Sequence, residues 1–427
     1  MNAAVTGTPS FEETKARFLG RFRHAVSTRT LPAFHDDCVA LLKGNAAPTD
    51  LPYAFAYAAR ALLHDRASWT PDLRLGTNEL DNRIGTLLEI PEAINCRDNY
   101  YHEIVAGLRH FVMGRRKAAF AQLACAARHS DFYRVVKDDF GGGASFAKTF
   151  PTTADLTAAR SRLPSDLSFH STGQGGHDMV YSVSFDPVYA AAFAENWARS
   201  VVALDHPGAA LHFHVVFRTK EDEGVLARLM AAGSALPGRF WLSSETTGGN
   251  FDRAYFASAR LLHGAHILRQ IGAPMWIVDA DAAISHPFEA ALALSRSERN
   301  VTGLLHPGPS FGYLPWRAFA ATWMFVPATD EAARFLSLAG DCVRYLWDER
   351  PGRNWWIDQF ALKVAQLVCE DSMPSARAVS LAGKLRDPFT TSEDYKIATL
   401  SKHPDIAPLL TEGVGYGQAL RQVASRY

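Results

Sequence analysis

Cysteine is scarce in this chain. Five residues in 427, Cys38, Cys96, Cys125, Cys342 and Cys369, are scattered, odd in number and free of any Cys-x-x-Cys pair. That argues against a disulfide framework or a thiolate zinc site and suits reduced thiols. An excess of either charge is missing too: 44 Lys+Arg face 44 Asp+Glu. With no basic run, nucleic acid is not an expected partner. No uninterrupted apolar stretch approaches membrane-spanning length, so no transmembrane segment is expected. The opening "MNAAVTGTPSFEETKARFLG" has neither the basic start nor the apolar middle of a secretory leader, and a cytoplasmic location is the expectation. What is present is ordinary globular material, 48% hydrophobic and 21% charged, enough for two or three domains.

The two halves have different rhythms. Through residue 150, "FEETKARFLGRFRHAVS", "LPAFHDDCVALLKG" and "LPYAFAYAARALLHD" carry apolar residues at three- and four-residue spacing, which predicts an all-α helical domain over 1–150. Within "AGLRHFVMGRRKAAFAQLACAARHS", Gly107, Gly114, Ala119, Leu123 and Ala126 fall on the small and apolar positions of one tetratricopeptide-like unit. The tryptophan, tyrosine and proline positions do not match, and a helical hairpin with Gly-Ala close packing explains the same pattern. Near 140 the Gly-, Thr- and Pro-rich "DDFGGGASFAKTFPTTADL" punctuates a boundary. Beyond it, "MVYSVSF", "LHFHVVF", "RFWLSS" and "MWIV" read as strands separated by helix-like segments. The alternation predicts βαβ units and a largely parallel, Rossmann-like α/β domain over 175–427. Ligands of such sheets bind beyond the carboxyl ends of the strands.

At the end of the fourth of those strands stands "MWIVDADAAISHPF", residues 275–288. If the extended conformation continues, Asp279 and Asp281 share one face. Two carboxylates about 5.5 Å apart repel by roughly 3 kcal/mol at an effective dielectric near 20. A divalent cation is the economical offset, and hard carboxylate oxygens suit Mg²⁺ or Mn²⁺. A helix N-cap or a turn explains one aspartate well and two poorly. Among 16 histidines, His263 and His266 lie one helical turn apart, but no HExxH and no third partner is in view. The Gly248-Gly249 pair marks a loop or a turn.

Residues 179–365 resemble a GT-A-type glycosyltransferase, in the neighbourhood of family 8 and related nucleotide-sugar transferases. The likeness is carried in order by "YSVSFDPVYAAAFAENWARS", "YFASARLLHGAHILRQIGAPMWIVDADAAISHPFEAAL", "ATWMFVPATDEAARFL" and "RNWWIDQFAL". The resemblance implies a GT-A domain in which Asp279 and Asp281 are the metal-binding pair, Asp279 nearer the ribose. It implies that Ser184, Phe185, Asp186 and Tyr189 hold the nucleoside; core packing is the competing reading for Phe185 and Tyr189. Arg260 matches an arginine that approaches the donor, and its half-buried flanks favour an anionic partner over a solvated face. Asp358 and Gln359 match polar groups beside the reacting carbon. Trp355 and Trp356 sit on the acceptor side, to stack on a sugar or to close the core. The family's late His-x-x-Gly-x-x-Lys-Pro-Trp segment is replaced by "SLAGKLRDPF", leaving Lys384 or Arg386 for the diphosphate and only His403 downstream as a further ligand.

The implied activity is metal-dependent transfer of a sugar from a nucleotide-diphosphate sugar to an acceptor hydroxyl, leaning towards retention. The acceptor class is a glycan or a protein. Helical hairpins often form docking surfaces, so a protein partner through the helical half is a further expectation. Two other readings compete. A haloacid-dehalogenase-like phosphatase also uses Asp-x-Asp after an apolar strand, but near the start of its domain. A non-catalytic nucleotide-sugar-binding scaffold would share the fold.

Overall fold

The computed structural model describes residues 10–44, 47–64, 77–90, 100–129, 150–163, 166–248, 253–285, 287–305, 314–315, 318–347, 354, 356–373, 375–376, 378–381, 389–390 and 392–424. The chain divides into two compact units, Met1–Pro151 with His306–Ala318, and Thr152–Leu305 with Phe319–Tyr427.

The first unit is all-helical where described, with helices Phe11–Thr28, Leu31–Lys43, Leu51–His64, Thr77–Leu88, Tyr100–Val112 and Arg116–Ala126. Ser10 opens the first with a capping box: its hydroxyl accepts from the Glu13 N–H while the Glu13 carboxylate accepts from the Ser10 N–H. "LPYAFAYAARALLH" is apolar on every side, and every residue from Tyr53 to His64 is buried accordingly. This helix is the hub against which four of the others pack. The last two form a hairpin that turns at Gly114, in left-handed conformation at φ 72°. It closes at Gly107, where a Cβ would lie 2.7 Å from Leu123.

The second unit is a mixed α/β core around an eight-stranded sheet, in the order β1 (Ser168–Ser171), β4 (Phe240–Thr246), β3 (Ala209–Phe217), β2 (Met179–Phe185), β5 (Met275–Val278), β8 (Phe319–Val326), β7 (Val301–Leu305), β9 (Ala378–Ser380). The run β4-β3-β2-β5 is parallel. β8 is antiparallel to both its neighbours and β1 is antiparallel to β4, so the sheet is mixed rather than largely parallel. The unit also begins ahead of residue 175, because β1 pairs with β4 and Arg160 binds the buried Asp341 at 2.9 Å.

Alternation along the strands sorts the two faces. Tyr181, Val183, Phe185, Leu211, Phe213, Val215 and Leu242 join the apolar core beneath helices Pro187–Val202 and Glu223–Gly233. The opposite face presents Ser182, Ser184, His212, His214, Ser243 and Glu245 towards helix Arg253–Leu262 and His263. The helix-like segment between β4 and β5 is two helices, Arg253–Leu262 and Gly264–Ile271, broken at His263. Helix Asp330–Leu346 buttresses the break: a Cβ on Gly340 would lie 2.7 Å from the Leu261 carbonyl oxygen. A small second sheet pairs β6 (Ala283–Ile284) with β10 (Phe389–Thr390). Phe389 lies among Tyr181, Trp197, Trp276 and Trp323, which anchors the C-terminal segment beside Asp281.

Candidate functional site

The strand order reverses between β2 and β5, since β3 and β4 continue outward on one side of β2 and β5 lies on the other. Their carboxyl ends, Phe185–Asp186 and Val278–Asp279, border a cavity of about 260 Å³. Ser184, Asp186, Tyr189, Arg260, Asp279 and Asp281 line it, as do Arg218, Phe256, Gly417 and Leu420. A larger cavity of about 580 Å³ adjoins it through the shared residues Asp186, Arg218 and Phe256.

β5 stops at Val278, and Ala280–Asp281 turn away, closed by an Ala282 N–H to Asp279 carbonyl bond of 3.2 Å. The two aspartates therefore face one cavity without continuing the strand. The buried Trp197 indole holds the turn by donating to the Ala280 carbonyl at 2.9 Å, and the Asp279 N–H donates to the Thr322 carbonyl at 2.8 Å.

Both carboxylates have cationic partners from the chain itself. Arg260, 6% exposed, donates from Nη1 to Asp279 Oδ1 and from Nη2 to Asp358 Oδ2 at 3.1 Å. Lys396, on helix Glu393–Leu400, reaches Asp281 Oδ2 at 2.6 Å. The repulsion that called for a cation is thus offset by an arginine and a lysine. Burial opposes the charge on Lys396, but Asp281 holds its pKa above the ordinary lysine value. For Asp279, burial acts first and the charges of Asp281 and Asp358 add to it; together they outweigh Arg260 and push its pKa up to about 6.

The other expected residues fall as follows. Asp186 caps helix Pro187–Val202, its carboxylate accepting from the Tyr189 N–H at 2.8 Å. Phe185 does not reach the cavity: one position along β2 from Ser184, it faces the opposite side and packs edge-on against Phe213 at 5.0 Å. Asp358 stands in the first turn of helix Ile357–Ser372, where one carboxylate oxygen accepts from the Gln359 N–H at 2.8 Å. Gln359 and Trp356 are half-buried near that helix start. Lys384, Arg386, Trp355 and Gly249 lie outside the described residues. His403 is buried, with Nδ1 accepting from the Asp405 N–H at 3.3 Å, and is not part of the cavity wall. Lys396, Gly417 and Leu420 escaped sequence reasoning because they come from a helical segment more than a hundred positions downstream of Asp281 with no motif to mark it.

A second cluster lies inside the sheet's polar face. His214 on β3, Glu245 on β4 and His263 bring three potential ligand atoms within 4.8 Å of one another, a set able to hold a divalent cation. Glu245 accepts from Tyr255 Oη at 2.8 Å and lies 3.2 Å from His214 Nε2 and 2.9 Å from His263 Nε2. His214 Nδ1 contacts Ser243 Oγ at 2.9 Å, which contacts His212 Nε2 at 2.9 Å, whose Nδ1 contacts Ser182 Oγ at 2.9 Å. Burial holds the His212 and His214 pKa values below imidazole's ordinary value. Glu245 is pulled the other way: burial would raise its pKa, but bonds from His214 and His263 hold it well below the carboxylate range. Of the histidine pair spaced by one turn, only His263 joins this cluster; His266 is exposed and lies over Phe169. The alternating His-x-His of β3 and Ser-x-Glu of β4 were the legible signs, but nothing in sequence sets the two strands side by side.

Among the described residues, no helix is long and apolar enough to cross a membrane. No protein-family model matches the chain, and no curated protein matches it. Among solved structures, the apo structure of the WbbM bifunctional glycosyltransferase aligns with 46% of this chain and 38% of its own, at 14% identity and a TM-score of 0.29. A superposition at that score carries no argument about fold or activity.

Proposed function

We propose that the second unit is a GT-A-like nucleotide-sugar transferase whose donor lies in the cavity between the ends of β2 and β5. The observation that carries this reading is the convergence of Asp279, Asp281, Arg260 and Asp358 at the place where the strand order reverses. The parallel run β4-β3-β2-β5 follows the 3-2-1-4 order of doubly wound sheets, which bind nucleotides at that switch point. The order of the motifs along the chain supports the same reading.

Ser184, Asp186 and Tyr189 surround the nucleoside end, with Arg218 and Phe256 where the two cavities join. Arg260 is bound on both sides by carboxylates, so its role is to hold Asp279 and Asp358 in one geometry rather than to meet the diphosphate freely. The donor set of Asp279 and Asp281 fits a hard divalent cation, Mn²⁺ or Mg²⁺, which these two carboxylates would hold in competition with the Lys396 ammonium. When bound, such an ion neutralises charge on the departing nucleoside diphosphate. Lys396, beside Asp281, adds a positive charge at the same end of the cavity. Asp358 stabilises positive charge at the anomeric carbon or takes the acceptor's proton, with Gln359 beside it on the acceptor side.

Calorimetry with a panel of nucleotide sugars, with and without Mn²⁺, tests the reading on wild type and Asp281→Asn. Metal-dependent binding to wild type, lost in the variant, is the expected result. A folded wild type that binds none of the panel would overturn it in favour of the phosphatase, which the same samples reveal by hydrolysis of a phosphate monoester. Binding without any turnover would leave the scaffold reading.

A further inference from the structure

The cluster of His214, Glu245, His263 and Tyr255 lies away from the donor cavity; none of the four lines it. We infer that it is a structural zinc site, closed and loaded during folding, which locks the helix carrying Arg260 to the sheet.

The donor set comes first. Two imidazoles, a carboxylate and a phenol oxygen suit zinc far better than the oxygen-seeking Mg²⁺ or Mn²⁺ of the aspartate pair. The spacing agrees. A tetrahedral ion with bonds of 2.0 to 2.2 Å sets its ligand atoms about 3.3 Å apart. The contacts here are 3.2 Å from His214 Nε2 to Glu245 Oε1, and 2.9 Å from His263 Nε2 and 2.8 Å from Tyr255 Oη to Glu245 Oε2, with the His214, Glu245 and His263 ligand atoms all within 4.8 Å of one another. An outward relaxation of a few tenths of an ångström admits the ion.

Charge is the second argument. Glu245 is wholly buried and, among the described residues, forms no ion pair with a Lys or Arg; the Arg344 guanidinium acts on it only from beyond ion-pair distance. A carboxylate in that position needs strong compensation. Without metal, one arrangement of protons serves. Ser182 donates to His212, His212 to Ser243, Ser243 to His214, and His214 with His263 and Tyr255 to Glu245. With zinc, His214 Nε2, His263 Nε2 and the Tyr255 phenol must each release to solvent the proton they donate to Glu245 before their atoms can become ligands. The chain then runs backwards through the same contacts: His214 Nδ1–H donates to Ser243, Ser243 to His212, and His212 Nδ1–H to the Ser182 oxygen. Such a partner behind a ligating histidine is what fixes its ring and tautomer in metal sites.

The ligands also arise from separate elements: β3, β4, the helix Arg253–Leu262 through Tyr255, and the break at His263. An ion there ties the helix to two strands, three residues from Arg260. With every ligand buried or nearly so, the expected site has no open position and no role for water, the mark of a structural rather than a catalytic zinc.

The test is elemental analysis of wild type purified without chelator, followed by refolding with either zinc or EDTA. About one equivalent of zinc per chain is expected, with a lower thermal midpoint after refolding in EDTA that zinc restores and Mg²⁺ or Mn²⁺ does not. Cobalt refolding should give the intense visible bands of a tetrahedral site. Asp281→Asn should keep its zinc whatever happens to donor binding, which separates this inference from the proposed transferase activity. His263→Gln should lose it, and Tyr255→Phe, the milder change that removes only an oxygen, should hold zinc more weakly. A folded wild type refolded in excess zinc that carries less than a tenth of an equivalent would overturn the inference, as would loss of zinc in Asp281→Asn.

Discussion

Two carboxylates three residues apart in their influence on one helix have opposite fates. Arg260 points from helix Arg253–Leu262 to Asp279 at the mouth of the sheet, while His263, just past its end, points to Glu245 inside. Asp279 has one strong cation and two like charges nearby, so its proton is held longer than usual, to about pH 6. Glu245 has no acidic group in contact and three donors aimed at it, so it gives up its proton far more readily than usual. Burial acts on both, wholly on Glu245 and in part on Asp279, whose side chain is 34% exposed, and pushes in one direction; the count of donors against like charges decides the outcome. A carboxylate poised near neutrality belongs where binding or chemistry happens, and one locked as an anion belongs to architecture.

The largest effect should come from breaking the mouth. Arg260→Ala leaves Asp279 and Asp358 facing each other without their shared cation, and should cost about 3–5 kcal/mol of unfolding free energy by urea titration. Arg260→Lys keeps the charge but cannot fork between two carboxylates, so it should recover only part of that loss. If Arg260→Ala is as stable as wild type, the mouth is not held together as described.

In the zinc-free protein the interior is broken by Glu245→Gln, which should cost about 1–3 kcal/mol for the donors it leaves ill-matched. Its pH dependence sharpens the contrast. The stability Glu245 contributes is present above its unfolded value near 4.5 and lost as pH falls through the depressed folded value. Asp279 has the opposite sign: its contribution is greatest below 3.8 and declines as pH climbs through about 6. Urea midpoints from pH 3 to 7 should therefore show a shallower acid limb in Glu245→Gln than in wild type. Cation or donor binding should instead strengthen as pH rises through 6, when Asp279 becomes charged.

Gly340→Ala disturbs both clusters together, because the added methyl meets the Leu261 carbonyl where the two helices touch. About 1–3 kcal/mol is expected from such overpacking, with backbone as the obstacle. Smallest of all, Lys396→Met should change stability by less than about 1 kcal/mol, since the Lys396–Asp281 pair keeps some contact with solvent. It should nonetheless tighten Mn²⁺ binding, read by the loss of free-ion paramagnetic resonance signal, because a competitor for Asp281 has gone. Weaker Mn²⁺ binding in that variant would show that Lys396 supports the ion rather than excluding it.

Local pattern made much of this molecule legible. Strands Met179–Phe185 and Met275–Val278 have the bounds that their apolar runs announce, and helices Pro187–Val202 and Glu223–Gly233 lie where the periodicity puts them. Asp279 and Asp281 could be singled out because they stand at the end of an apolar run, whereas Arg260 and Asp358 were singled out by the resemblance of their segments to glycosyltransferases. The break at His263 was less legible, because "LLHGAHIL" keeps its apolar period straight through it.

What the sequence alone determined is what depends on neighbours along the chain: the periods of two and near four, the caps, the carboxylates at a strand's end. Only the tertiary structure decided which charge meets which. Lys396 reaches Asp281 because Phe389 seats a distant segment among three tryptophans and a tyrosine. His214, Glu245 and His263 meet because β3 and β4 pair in one register and a helix breaks above them. Charge pairing in a folded chain follows distance in space, and pairing of strands and docking of helices are settled by the burial of whole faces, which no short stretch of residues carries by itself.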